Sequence, residues 1–296
     1  MRSAFRFAWF NGVTLRVPGP RLAAPRLLLA LFCGLAAGAR PATAARPVVV
    51  VTTSMGATAV RDLAGDAVDV ETLMPPGTCP GQFDLEPRQV RRVQAAALII
   101  RHSMQRFLDE RFAAAGVRED VSVALSFGGP FTVPSNYARF CEEAAMELSR
   151  RVPSLAETVS ERLPAIRARA AETEEVIRRD AAGLAGVRVV AAAYQADFLR
   201  WLGIDVVATL PPGDDPAPQA LIGAISVGRE RGAVLVVGNV QNGRRVPAAV
   251  AEAIGVPLVM LSNFPARDTA GAYWELVQSD LQALLDWNAK RSQPRS

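Results

Sequence analysis

Short β-branched runs alternate with amphipathic segments along most of this chain, and the alternation stops once, from Tyr137 to about Leu184. That rhythm constrains the fold more than any single residue does. Apolar runs of roughly four to eight residues, bounded by turn signals, suit strands buried on both faces, as in parallel sheets covered by helices. "PVVVVTTSMGATAVRDLAG" predicts a strand over Val48–Thr52, a turn through Ser54 and Gly56, and then a helix. "AVDVETLMP" predicts a second strand, "EPRQVRRVQAA" a helix and "AALIIRHS" a third strand with His102 at its end. "MQRFLDERFAAAG" and "VSVALSF" continue as helix and strand.

Between Tyr137 and Leu184 no strand pattern is present. "NYARFCEEAAMELSRRVP" reads as one helix. "SLAETVSERLPAIRARAAETEEVIRRDAAGL" reads as a second, roughly 30 residues and about 45 Å long at 1.5 Å per residue. Leu155, Val159, Leu163, Ile166, Ala170, Val176 and Ile177 sketch its apolar stripe, and Pro164 is placed to kink it. The alternation then resumes through "VRVVAAA", "IDVVATL", "AVLVVGN" and "VPLVMLSN", and ends in a helix, "TAGAYWELVQSDLQALLDWNAK". The fold class is α/β: two Rossmann-like lobes with parallel sheets, joined by one long backbone helix. The expected division is an N-terminal lobe at 46–136, a helical segment at 137–185, and a C-terminal lobe with its terminal helix at 186–296.

Residues 1–45 hold six of the 33 basic residues and none of the 29 acidic ones, so the remainder is slightly acidic despite a sequence pI near 9.4. A nucleic-acid partner therefore does not follow from the charge. The same segment carries "RLLLALFCGLAAGA" and then "ATA" at Ala42–Ala44, the pattern of a cleaved secretory signal. The apolar run falls short of the roughly 20 residues that span a bilayer, and Phe32 before Cys33 argues against lipidation. A secreted chain keeps Cys79 and Cys141, for which a disulfide is the default reading in an oxidising compartment, with two buried thiols as the alternative.

Open α/β sheets hold their ligands at the carboxyl ends of strands. Here those positions carry Ser54, the Cys79–Asp84 segment, Arg101–His102, Tyr194–Gln195, Asp214–Asp215, Asn239–Asn242 and Ser262–Asn263. Turn chemistry explains any one of them; their repetition at strand ends points to a polar cleft between two lobes. His102 is the only histidine, and one imidazole cannot build a zinc site. No G-x-S-x-G nucleophile elbow, phosphate loop or dinucleotide fingerprint is present.

The loop "PPGTCPGQFDLEPRQV" resembles the opening loop of the solute-binding proteins of zinc- and manganese-type ABC importers, and "FLRWLGIDVVATL" in the second lobe supports the resemblance. Pro75, Pro76, Gly77, Pro80, Phe83, Pro87 and Val90 fall on family positions, and Asp84 takes the place of a Glu. The resemblance implies a periplasmic, non-catalytic, monomeric chain delivering a divalent metal such as Zn or Mn to an inner-membrane ABC permease, with no fixed cofactor. It also implies four metal ligands, and none of the expected residue types is present. The first falls at Gly81 with Gln82 beside it, the second at Ser135 or Asn136, the third at Tyr194 or Gln195, and the fourth at Ser262 or Asn263. With Asp84, His102, Asn239 and Gln241, these form the expected cleft set. Neutral Ser, Asn and Gln side chains are weak replacements for the hydration shell of a bare divalent cation. An amide offers both donors and an acceptor, which suits a metal chelate or a small polar solute. Three ligand cases stay open: a metal ion in an unusual site, a chelate or polar solute, or none. Two other classes stand beside the importer: a secreted α/β hydrolase, and an adhesin or accessory protein with an empty cleft.

Overall fold

The structure, a computed structural model, describes residues 45–76, 85–213 and 216–293. The basic N-terminal segment and most of the opening loop, including Cys79, Gly81, Gln82 and Asp84, lie outside the described residues, as do Asp214 and Asp215. β1 (Val48–Val51), β2 (Asp69–Thr72), β3 (Leu98–His102) and β4 (Ser122–Leu125) form one sheet in the order β2-β1-β3-β4. β5 (Arg188–Ala192), β6 (Asp205–Leu210), β7 (Leu235–Asn239) and β8 (Leu258–Leu261) form a second, in the equivalent order β6-β5-β7-β8. Every pairing is parallel. Val49, Val50 and Val51 are wholly buried, as are Leu235, Val236 and Val237, which is why these runs are apolar without alternating. In each sheet the chain order reverses between the first strand and the third, at β1/β3 and β5/β7. Those are the switch points where a crevice opens at the carboxyl ends.

Local capping fixes the elements beside that crevice. α1 (Ser54–Ala64) starts at Thr53, whose side chain accepts the Gly56 N–H. α2 (Pro87–Ala95) starts with a capping box between Glu86 and Gln89, with Pro87 in its first turn. The Gln89 side chain also donates to the Leu73 carbonyl at 2.8 Å. α3 (Phe107–Ala114) leads to β4, and α4 (Pro134–Arg151) to the long α5 (Ala156–Asp180). In the second lobe α6 (Ala193–Trp201), α7 (Pro218–Glu230) and α8 (Arg245–Ile254) cover the sheet, and α9 (Ala272–Ser292) closes the chain.

α5 continues through Pro164 and buries Val159, Ile166, Ala170, Glu174 and Ile177. Val176, expected on that stripe, is 37% exposed. It stands about 100° round the helix from Ile177, as 3.6 residues per turn require, and Glu174 takes the inward position instead. Glu174 is tolerated there because its carboxylate accepts the Ser135 N–H at 2.8 Å and pairs with Arg178 at 2.8 Å.

One hydrophobic cluster runs from β1 and β3 through α4 and α5 to β5, β7 and α9, so the two lobes share a core. Separate clusters fill the far faces of the first sheet and of the second. Polar contacts close the same seam. Ser54 Oγ donates to the Pro265 carbonyl at 2.8 Å, and Thr72 Oγ1 to Asp268 at 3.0 Å. Asp62 accepts from the Gly271 N–H at 2.7 Å and from the Tyr137 hydroxyl at 2.8 Å. Tyr137 stacks on Tyr273 of α9 with ring centroids 3.7 Å apart.

Cys79, the partner expected for Cys141 in a disulfide, lies outside the described residues. Cys141 carries a free thiol, wholly buried on the core face of α4 beside Tyr137. Burial pushes that thiol well above its ordinary pKa, so it packs as a small apolar group.

Candidate functional site

The strand ends meet at a cleft of about 430 Å³. The first lobe lines it with Met104, Gln105 and Phe107 from the β3–α3 connection and with Gly129, Pro130 and Phe131 after β4. The second lobe contributes Ala193, Tyr194 and Asp197 from the start of α6, and Asn239, Gln241 and Asn242 after β7. Asn263 and Phe264, after β8, complete the lining.

The first wall is mainly apolar, with His102 held behind it. His102 is 3% exposed, and its ring lies among Phe127, Phe131 and Phe140 at centroid distances of 5.4, 5.3 and 5.7 Å. Nε2 sits 2.7 Å from Thr53 Oγ1, while Nδ1 has no hydrogen-bond partner. Burial lowers the His102 pKa to about 3, so the ring is neutral at any physiological pH. Gln105 ties this wall together: its Oε1 accepts from Thr52 Oγ1 at 2.7 Å and from the His102 N–H at 2.9 Å.

The second wall is a chain of neutral amides. The Gln241 N–H donates to Asn239 Oδ1 at 3.1 Å, and Asn239 Nδ2 donates to Asn242 Oδ1 at 3.0 Å. The Asn263 N–H donates to Gln241 Oε1 at 3.0 Å, and Gln241 Nε2 donates to Ser262 Oγ at 2.9 Å. Gln195, wholly buried, donates from Nε2 to Asn263 Oδ1 at 3.0 Å, and its own Oε1 has no partner. Asp280 of α9 anchors the set from behind by accepting the Ser262 N–H at 3.1 and 3.3 Å. Burial raises the Asp280 pKa to about 8 against the lowering effect of that bond, so the carboxyl is largely protonated at neutral pH.

The cleft thus gathers Tyr194, Asn239, Gln241 and Asn263, with Gln195 and Ser262 bonded directly behind them. Ser135 and Asn136 stand elsewhere. Ser135 is an exposed residue at the start of α4 whose N–H meets Glu174. Asn136 is buried behind Gly129 and donates to the Pro130 carbonyl at 3.0 Å. A Cβ on Gly129 would lie 2.6 Å from the Asn136 amide nitrogen and would push it off its present position. The lining residue of this segment is Phe131. Phe107, Phe131 and Phe264 were not legible as cleft residues, because apolar side chains at strand ends look like core; the glycine and proline pairs of "GGPFTVP" are the signal that a loop turns there.

Among the described residues no three His, Cys, Asp or Glu side chains cluster in a way that could hold a metal ion. Asp197 is the lining residue with a carboxylate, and it is exposed and paired with Arg200 at 2.8 Å. No described helix is long and apolar enough to cross a membrane.

Residues 49–286 match the family described as zinc-uptake complex component A, periplasmic (ZnuA). No curated protein matches the chain in sequence. Among solved structures, the periplasmic zinc binding protein TroA from Treponema pallidum is similar, with a TM-score of 0.70, 17% identity, and coverage of 82% of this chain and 99% of that one. A cadmium-bound periplasmic metal binding protein from Candidatus Liberibacter asiaticus gives 0.69 and 15% over the same shares. The laminin binding protein Lmb of Streptococcus agalactiae, described as an adhesin with metal transporting activity, gives 0.68 and 15%, again over 82% and 99%. At these identities the likeness is one of fold.

Proposed function

This chain belongs to the periplasmic zinc-uptake complex component A family, and we propose that it is the solute-binding component of an ABC importer whose cargo is a metal ion already held by a small organic chelator. The observation that carries this reading is the cleft itself. Its volume of about 430 Å³ is far more than a bare ion fills and within the usual range for small-molecule sites. Its described lining offers neutral amides on one side, with the exposed, paired Asp197 as its carboxylate, and aromatic or apolar groups on the other. A bare divalent cation needs charged or strongly donating ligands to replace its hydration shell. A chelate brings those ligands with it and asks the protein only for surface and hydrogen bonds.

In this reading residues 1–45 are a secretory leader removed on export. The lobes at 46–136 and 186–296 then close the cleft across the helical segment 137–185, and the loaded monomer docks on an inner-membrane permease. Its work is binding and release rather than catalysis. Calorimetric titration of the mature protein with zinc sulfate tests the cargo: binding weaker than about 1 µM, near −8 kcal/mol, is expected. Nanomolar affinity for the uncomplexed ion would sink the chelate reading.

A further inference from the structure

The amide wall has a direction. A backbone N–H can only donate, so the group facing it must be an oxygen. The Gln241 N–H therefore fixes Oδ1 of Asn239 toward itself and turns Asn239 Nδ2 outward. Asn239 Nδ2 in turn demands an oxygen from Asn242, which leaves the Asn242 amino group with no partner among the described residues. The Asn263 N–H fixes Gln241 in the same way: Oε1 is occupied, and Nε2 has one hydrogen on Ser262 Oγ and one to spare. Asn239, Gln241 and Asn242 all line the cleft. Each of their three side-chain carbonyls already accepts one bond from inside the protein, while Gln241 and Asn242 keep amide hydrogens for a ligand.

We propose that this wall, presenting amide N–H groups from Gln241 and Asn242, selects cargo by an acceptor edge of carboxylate or phenolate oxygens, while Phe107 and Phe131 opposite receive an aromatic body. This rests on the chelate reading and narrows it to a class: a metal complex of a small aromatic oxygen-donor chelator. The spare amide donors favour an anionic oxygen edge over a bare cation or an ammonium-type edge. The Gln195–Asn263 pair has no backbone lock and is not needed.

Two zinc complexes with the same ring and opposite edges test this. Zinc picolinate presents carboxylate oxygen, and zinc 2-(aminomethyl)pyridine presents N–H. Each is titrated calorimetrically, beside zinc sulfate, into wild type, Asn242→Asp and Asn242→Ala. Asp keeps the oxygen that Asn239 requires and replaces the free amino group with an acceptor, on a half-buried loop. Wild type is expected to bind the picolinate complex at least about tenfold more tightly, the scale of one charge-assisted hydrogen bond. Asn242→Ala should lose about that factor, and Asn242→Asp should abolish or invert the preference. Equal binding of both complexes with silent variants overturns the donor wall and leaves the chelate reading standing. Binding of none of the three also overturns it. Tight binding of zinc sulfate, with neither complex bound, removes the chelate reading and this inference together.

Discussion

The two walls of the cleft come from lobes with the same strand order, yet they solve the placing of polar groups in opposite ways. The first lobe buries its polar residues behind aromatic rings: His102 and Gln105 bond to Thr52 and Thr53 and leave Phe107 and Phe131 to face the cleft. The second lobe puts its polar residues at the surface of the cleft and supports them from behind with the Asp280 carboxyl. A shared topology therefore fixes where a site lies, while the residues after each strand decide what it recognises.

The largest expected effect comes from opening the aromatic wall. Phe131→Ala should destabilise the protein by about 2–3 kcal/mol, at the low end for a Phe truncation because the ring is half-buried, read by urea unfolding. It should also hydrate His102 and move its pKa up from about 3 toward 6.5. The sign follows from linkage: a base with a depressed folded pKa adds stability above 6.5 that is lost as pH falls toward 3. NMR titration of the ring checks this, and an unmoved pKa would show that Phe131 does not shield it.

Breaking the amide wall should cost less. Gln241→Ala strands the Asn263 N–H and takes one donor from Ser262 Oγ, which keeps its bonds to Phe264, and should lower stability by about 1–3 kcal/mol, again by urea unfolding. No loss would mean that water replaces the side chain without penalty. Behind that wall, the Asp280 pKa is raised to about 8. Its contribution is fully present below the unfolded value near 3.8 and disappears as pH rises through about 8. Asp280→Asn, which keeps an oxygen for the Ser262 N–H, should flatten the fall in melting temperature between pH 5 and 9; parallel curves would place the pH dependence elsewhere. The smallest effect belongs to the rim. Asp197→Asn removes an exposed, paired charge and should change stability by less than about 0.5 kcal/mol. A marked loss of zinc binding in that variant would instead identify Asp197 as a cation ligand.

The two-lobe architecture was legible because its signal is local. Val48–Val51 and Leu235–Val237 are apolar on both faces, and the strand-free stretch from Tyr137 marks the crossing between lobes. The second wall was legible in part for the same reason, since Gln241 and Asn263 each stand two residues past the end of an apolar strand. The first wall was not. Around Pro130 and Pro134 the chain turns before α4 begins, so the residue presented to the cleft is Phe131, four positions ahead of the serine the family pattern suggested. Asp280 left a fainter trace: it stands four residues from both Leu276 and Leu284 on a helical face that is otherwise buried and apolar.

Native mass spectrometry of the mature protein, isolated from its own secretory compartment without chelators, tests the central claim most directly. The account predicts that the folded chain carries an added organic mass together with a metal ion. A single metal ion bound with no organic partner would contradict it.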